Sequence, residues 1–370
     1  MSIRKNTWLL DGHYDLTKSE ENAYVGSNLL FGWGAGGSGQ NAQNNRVSYS
    51  SPIQISGTGW SSLGSSGRHA AAIKTDGTMW TWGSGDHGRQ GHNDQVSRSS
   101  PTQIPGTTWS SVSCGYLHMF ATKTDGTLWT WGSNGYARLG VNDRSNRSSP
   151  TQVPGTQWST LASGSYTSIF AIKTDGTLWG MGANDSGGLG VNDKANRSSP
   201  TQLPGTWSSV CNGERNSGGI KTDGTLWMWG NHGNGGYLGY NNQGARSSPV
   251  QLPGTQWTQI SMGKIHSVAL KSDGTAWAWG SGQGGRLAQN SEVSYSSPYQ
   301  ISGTQWSFVA AGERSTYLVK TDGTMWACGG SGWRYAQNSG TYFSSPRQIP
   351  GTNWSSPNGN DGGAFAFQSL

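Results

Sequence analysis

The stretch Lys123-Thr-Asp-Gly-Thr-Leu-Trp-Thr-Trp-Gly132 decides the fold. It reads as a turn followed by a strand. An Asp side chain hydrogen-bonds the backbone amides just ahead of it, and Gly takes positive φ without a steric penalty, so Asp125-Gly126 turns the chain. Thr127 to Trp131 then reads as a strand, with Trp129 and Trp131 two apart and therefore on one face. Lys-Thr-Asp-Gly or Lys-Ser-Asp-Gly begins at Lys74, Lys123, Lys173, Lys221, Lys271 and Lys320, a period of 48–50 residues. Ser-Ser-Pro ends at Pro52, Pro101, Pro150, Pro200, Pro249, Pro298 and Pro346. Gly-Thr leads into Trp60, Trp109, Trp158, Trp207, Trp257, Trp306 and Trp354.

Working outward, each unit reads as four short strands. Trp109 to Val112 is a first strand, and Ala171 to Lys173 ends a second. The Trp-rich strand is the third, and Ser149 to Val153 is a fourth. The Pro of that fourth strand suits a sheet edge, where no ladder donor is missed. Four antiparallel strands repeated at about 40–50 residues are the signature of a propeller blade. The expected fold is all-β: a seven-bladed β-propeller with four antiparallel strands per blade. The last unit stops after two strands, within Trp354 to Phe367. The first begins at its third strand, Leu30-Phe31-Gly32-Trp33-Gly34. These halves predict one composite closing blade, residues 27–56 plus 352–370, with no open strand edge at the closure. The propeller then spans 27–370, and residues 1–26 form an N-terminal arm.

Composition agrees with a turn-rich all-β chain. Hydrophobic residues make up 32%, while Gly counts 59 and Trp 20 of 370. The net charge of +6 is spread without a basic run, so no nucleic-acid partner is expected. The three cysteines, Cys114, Cys211 and Cys328, form neither a disulfide framework nor a Cys-x-x-Cys pair. No signal peptide and no membrane-inserting segment is read.

Gly115 to His118, Asp125 to Gly132, Leu139-Gly140 and Arg147 to Pro150 together resemble the regulator-of-chromosome-condensation repeat, over residues 27–370. The resemblance implies the seven-bladed propeller. That family includes a nucleotide-exchange factor, a plant ultraviolet-B photoreceptor, a β-lactamase inhibitor and many bacterial and phage proteins. The Ser-Ser-Pro-x-Gln-Val-Pro-Gly-Thr wording is most similar to bacterial and marine-phage versions. The opening Ile3-Arg-Lys-Asn-Thr-Trp8 resembles the starts of phage virion proteins with these repeats. The photoreceptor's aromatic motif appears only as Gly332-Trp333-Arg334, so light sensing is not expected. No blade carries the long insertion on which exchange activity depends.

Eighteen of the 20 tryptophans fall in repeat columns and read as blade packing. His69, His118 and His266 sit five residues before the repeat Lys, a slot held elsewhere by Ser168, Asn216 and Ser315. A structural hydrogen bond from strand to neighbouring loop fits both sets, and neither makes a tetrahedral metal site. The repeated Thr-Asp-Gly carboxylate reads as turn chemistry. Asp143 and Asp193 lack the dense oxygen ligands calcium needs. No catalytic motif is present, and no metal or cofactor is expected.

The turns at Thr-Asp-Gly and Pro-Gly-Thr share one face and hardly vary. The first-to-second and third-to-fourth connections share the other and vary from blade to blade. Function sits in loops on rigid scaffolds, and Arg, Tyr, Trp and His are favoured interface anchors. The candidate binding residues are therefore Arg68, His69, Arg89, Tyr116, Tyr136, Arg138, Arg215, Lys264, Arg314, Trp333, Arg334 and Tyr335. In the arm, Trp8, Leu9, Leu10 and Tyr14 are candidate attachment residues, and the charges are mixed rather than basic. The expectation is a non-enzymatic binding or structural module. Its first form is a phage virion component, a decoration or tail-associated protein that meets a virion protein or a host surface, as a copy within a larger assembly. The alternative is a cytoplasmic, cellular interaction propeller acting on a GTPase or chromatin.

Overall fold

The computed structural model describes residues 28–162, 167–232, 236–241, 244–330, 342–360 and 362–369. The arm with Trp8, Leu9, Leu10 and Tyr14 lies outside the described residues, as do Trp333, Arg334 and Tyr335.

Six blades follow the chain in order. The first is built from Trp60–Ser66, His69–Lys74, Met79–Gly83 and Arg98–Ile104, each strand antiparallel to the next. The second repeats this with Trp109–Cys114, His118–Lys123, Leu128–Gly132 and Arg147–Val153. The seventh blade is composite. Trp354–Gly359 and Gly363–Ser369 come from the end of the chain, and Asn28–Gly34 and Tyr49–Ile55 from its beginning. Gly363–Ser369 pairs with Asn28–Gly34 in unbroken register from Asn28↔Ser369 to Gly34↔Gly363.

One strand departs from the four-strand reading. Arg197–Asn212 runs without a break from the outer edge of the third blade to the inner edge of the fourth. The linker there, Pro204-Gly-Thr-Trp207, lacks the residue that precedes the inner Trp elsewhere. In five other linkers that residue is left-handed, as at Gly59 (φ 72), Gln157 (φ 69), Gln256 (φ 69), Gln305 (φ 67) and Asn353 (φ 60). With one residue fewer, this linker joins the two strands without a break.

The first strands of successive blades line the axis, around a cavity of about 200 Å³. Their polar groups bond across blade boundaries. Gln259 Oε1 accepts from Val309 N at 2.9 Å, and Ser261 Oγ from Ala311 N at 2.9 Å. Apolar clusters fill each space between blades. The Trp-rich strand supplies two rings to one face, but they differ in depth. Trp131 is fully buried, while Trp129 is half-buried, and Trp80, Trp179, Trp227, Trp277 and Trp326 repeat its position. The deeper ring bonds across the boundary: Trp131 Nε1 donates to Arg89 O at 2.9 Å, Trp82 to Gln40 O at 2.8 Å and Trp229 to Gly188 O at 2.9 Å.

A second set of links ties the outer edges. Asn93 N donates to Ser148 O at 2.7 Å in the next blade, and Ser148 Oγ donates to Asn93 Oδ1 at 3.2 Å. The same pair joins Asn142 to Ser198, Asn241 to Ser296, and Asn290 to Ser344 and Ser345. Ser-Ser-Pro therefore marks an edge strand whose serines are strapped by the preceding blade's loop.

Candidate functional site: the two faces of the propeller

The turns divide between the faces as expected. On the invariant face, Gly77 O accepts from Trp109 N at 3.1 Å, which joins a Thr-Asp-Gly turn to the next linker. Asp125 Oδ1 accepts from Thr127 N at 3.0 Å and Thr127 Oγ1 at 2.7 Å, and Trp129 Nε1 donates to Thr127 Oγ1 at 2.8 Å. Those two Thr127 bonds, side chain first, hold the Asp125 carboxyl below its ordinary range. Gly126 has φ 75, and the pattern recurs at Asp76, Asp175, Asp223, Asp273 and Asp322. Lys123 Nζ then lies 4.9 Å from the Trp109 ring and 4.2 Å from Trp129, an arrangement repeated at every Lys of the column. The same turn, threonine and lysine arrangement thus repeats around this face.

The opposite face carries the variable loops. Ser84 N donates to Arg68 O at 2.8 Å and Ser133 N to Leu117 O at 2.9 Å, which seats each long loop on the turn between first and second strands. Among the candidate anchors, Arg68, Arg215, Arg314 and Tyr136 are exposed, and Tyr116 and Lys264 are partly exposed. Three others are withdrawn from the surface. His69 is 0%, Arg89 3% and Arg138 2% exposed, so these are corrections to their reading as binding anchors. The Arg89 guanidinium turns inward, donating through Nε to Asp86 O at 2.9 Å and through Nη1 to Tyr116 O of the next blade at 3.3 Å. It stitches two blades together. Arg138 and Arg286 hold the equivalent buried position in the second and fifth blades.

Each His of the repeat column has such an Arg beside it. In the second blade a Cβ at Gly115 would lie 2.1 Å from His118 Cε1, so only Gly admits the ring there. His266 Nε2 lies 3.0 Å from Thr316 Oγ1 on the next blade's strand, so its hydrogen bond reaches a strand and not a loop. Burial first, then Arg89, holds His69 well below its ordinary value. Burial and Arg138 do the same for His118, and burial and Arg286 bring His266 to about 3. Depressed folded values mean that the unfolded chain takes protons first. Stability is full above the unfolded value of about 6.5 and falls as pH drops below it, by up to about 1.4 kcal/mol per pH unit per His. The Asp carboxyls, with ordinary values near 3.8, contribute only at lower pH. Urea midpoints should therefore drop between pH 7 and pH 5, and H118N, which places there the residue found at Asn216, should flatten the dependence. A midpoint unchanged over that range would contradict the burial of these rings as neutral imidazoles.

Asp143 and Asp193 belong to their own loops. Asp143 Oδ1 accepts from Ser145 N at 2.9 Å and from Asn134 Nδ2 at 3.2 Å, and Asp143 Oδ2 pairs with Arg147. Asp193 repeats this with Ala195, Asn184 and Arg197. Among the described residues no group of three His, Cys, Asp or Glu side chains could hold a metal ion, and no helix is long and apolar enough to cross a membrane. Two shallow depressions lie on the variable face, of about 200 Å³ beside Arg215 and Lys264 and about 370 Å³ beside Lys264 and Arg314.

The fold has clear relatives. The crystal structure of human WBSCR16 is 17% identical, covers 92% of this chain and 98% of its own, and superposes with a TM-score of 0.82. Prp20p from Saccharomyces cerevisiae, described with its binding properties to Gsp1p and histones, is 17% identical over 93% of this chain and 92% of its own, with a TM-score of 0.80. The same yeast protein bound to Kap60 gives 0.81, at 17% identity over 94% and 90%. No curated protein sequence matches the chain significantly. The sequence profile of the Regulator of chromosome condensation (RCC1) repeat matches residues 76–122, 125–171, 175–217, 223–270 and 273–319, and a second profile of the same repeat matches 60–89, 109–138 and 257–286. The chain belongs to the regulator-of-chromosome-condensation (RCC1) repeat family.

Proposed function

We propose that this protein is a non-enzymatic binding module that takes a protein partner on its variable loop face. One observation carries the reading. Across near-identical blades, the exposed and differing side chains collect at the turns and loops of one face, while the other face repeats one arrangement of Asp, Thr, Lys and Trp. A rigid ring with one variable face fits recognition better than catalysis. The partner is a cellular protein of the kind a GTPase or chromatin regulator engages. The described binding of the similar yeast propeller to Gsp1p and histones favours this over the virion reading. The virion reading rests on the wording of the repeats and on the likeness of Ile3 to Trp8, and Trp8, Leu9, Leu10 and Tyr14 are its proposed attachment residues.

The test is capture of the native partner by the full chain, with cross-linking and mass spectrometry. Replacing Arg68, Tyr116 and Tyr136 by Ala should cut capture at least tenfold and leave the melting temperature in place. Replacing Gln157, Gln256 and Gln305 of the opposite face by Glu should leave capture intact. The reverse pattern would place binding on the other face and overturn the reading. A captured partner that is a virion protein, lost when residues 2–22 are deleted, would select the virion alternative.

A further inference from the structure

Three successive blades place a cation at the same turn, between first and second strands: Arg215 in the fourth, Lys264 in the fifth and Arg314 in the sixth. The two depressions meet at Lys264. The narrower is bounded by Glu214, Arg215 and Tyr237, and the wider by Gln283, Glu313 and Arg314. Lys264 Nζ is tied across the blade boundary to Glu313 Oε1 at 3.3 Å, and the Glu313 side chain is 8% exposed, so this central pair is fixed. The flanking arginines differ. Both are exposed, and neither guanidinium has an ion pair or hydrogen bond among the described residues. Other rim arginines are engaged, Arg98 with Asp94, Arg147 with Asp143 and Arg197 with Asp193, whereas Arg46, Arg68 and Arg144 are exposed singly on other blades.

We propose that the groove running from Arg215 across Lys264 to Arg314 docks an acidic protein segment, whose separated carboxylates pair with the two free guanidinium forks. The proposal rests on the loop-face reading above and names its recognition chemistry. An Arg fork matches a carboxylate bidentately, with geometric specificity a Lys lacks. The signs along the groove select the partner class. Glu214 precedes Arg215, Glu313 precedes Arg314, and Glu292 borders the wider depression. A nucleic-acid backbone, with a charge every ~1.7 Å of duplex, would set phosphates against those carboxylates. A peptide can place its acidic residues at the arginines and leave other residues opposite Glu214 and Glu292.

The probe is a fluorescein-labelled twelve-residue peptide of alternating Glu and Gly, titrated with the full chain at low salt and followed by anisotropy. Sub-millimolar binding that weakens with added salt is expected. R215E/R314E should weaken it at least tenfold, whereas R46E/R144E, an equal charge change at the rims of the seventh and second blades, should change it less than twofold. Circular dichroism melts confirm folding, and R215A/R314A substitutes if the charge reversal perturbs it. No sub-millimolar binding, or equal loss in both double variants, would overturn the proposal. So would tighter binding of a twelve-residue oligo-dT that depends on Arg215 and Arg314, which would assign the groove to nucleic acid. If the peptide fails to bind while the loop-face variants still lose their captured partner, only the acidic-segment proposal falls.

Discussion

Ending the chain at Asn360, and so removing Gly363–Ser369, is expected to abolish cooperative folding. That strand is bonded on both sides, to Trp354–Gly359 and to Asn28–Gly34, and it joins the two ends of the chain. Phe365 is 1% and Phe367 5% exposed. The Phe365 ring meets Trp82 of the first blade edge-on at 6.0 Å, and it fills the space over Gly32, where a Cβ would lie 2.7 Å from Phe365 Cε1. Losing a buried Phe costs about 3–5 kcal/mol, and two such losses approach the whole stability of a typical domain, about 5–15 kcal/mol. Removal also leaves Trp354–Gly359 and Asn28–Gly34 as unpaired edges facing each other across an open ring. Scanning calorimetry should show no cooperative transition at the intact chain's temperature. F365A, which keeps the strand, should still fold and melt lower. A truncated chain that melts as the intact one does would show that the ring is held closed elsewhere.

The repeat made the closure legible, because Leu30 to Gly34 matches the third strand of every other unit and Trp354 the first. The straps between blades were harder to see. Asn93 and Ser148 lie 55 residues apart, close to one period, and a perfect repeat does not say whether a bond runs within a blade or to the next one. The unbroken strand Arg197–Asn212 did leave a signal, the single residue missing before Trp207, whose meaning depends on the left-handed geometry of its equivalents.

At the candidate site, topology was legible and depth was not. Arg is rarely buried, so Arg89 and Arg138 read as surface anchors when taken from loop sequence alone. Nothing local shows that Arg89 turns under the loop to reach Tyr116 O in the next blade. His69 was misplaced for the same reason, since its neighbours Arg89 and His118 lie 20 and 49 residues away in the chain. Arg68, Arg215 and Arg314 escaped this error. Each lies at the tip of a tight turn whose backbone carbonyl is held by the long loop, so the side chain points away from the blade.

Position 131 should show the largest effect of any single substitution in the Trp-rich strands. Trp131 is completely buried, lies 6.2 Å from Trp109, and donates Nε1 to Arg89 O across the blade boundary. W131A removes the ring, opens a cavity between the first and second blades, and orphans a carbonyl, so a loss of about 3–5 kcal/mol is expected. W129A removes a half-buried ring two residues away on the same face. It forfeits the Lys123 contact at 4.2 Å and the edge contact with Trp109 at 6.3 Å, losses of about 1 kcal/mol each. The chain itself contains the control, because the third blade carries Met181 at the deep position and the sixth carries Cys328. A flexible thioether fills an irregular gap, so W131M should retain more stability than W131A, although it loses the hydrogen bond. Urea unfolding of the three variants should rank W131A as least stable, with W131M and W129A above it. Equal losses for W131A and W129A would mean that the shallow ring carries as much of the blade contact as the deep one, and the division of the tryptophan column into an anchor and a cover would be wrong.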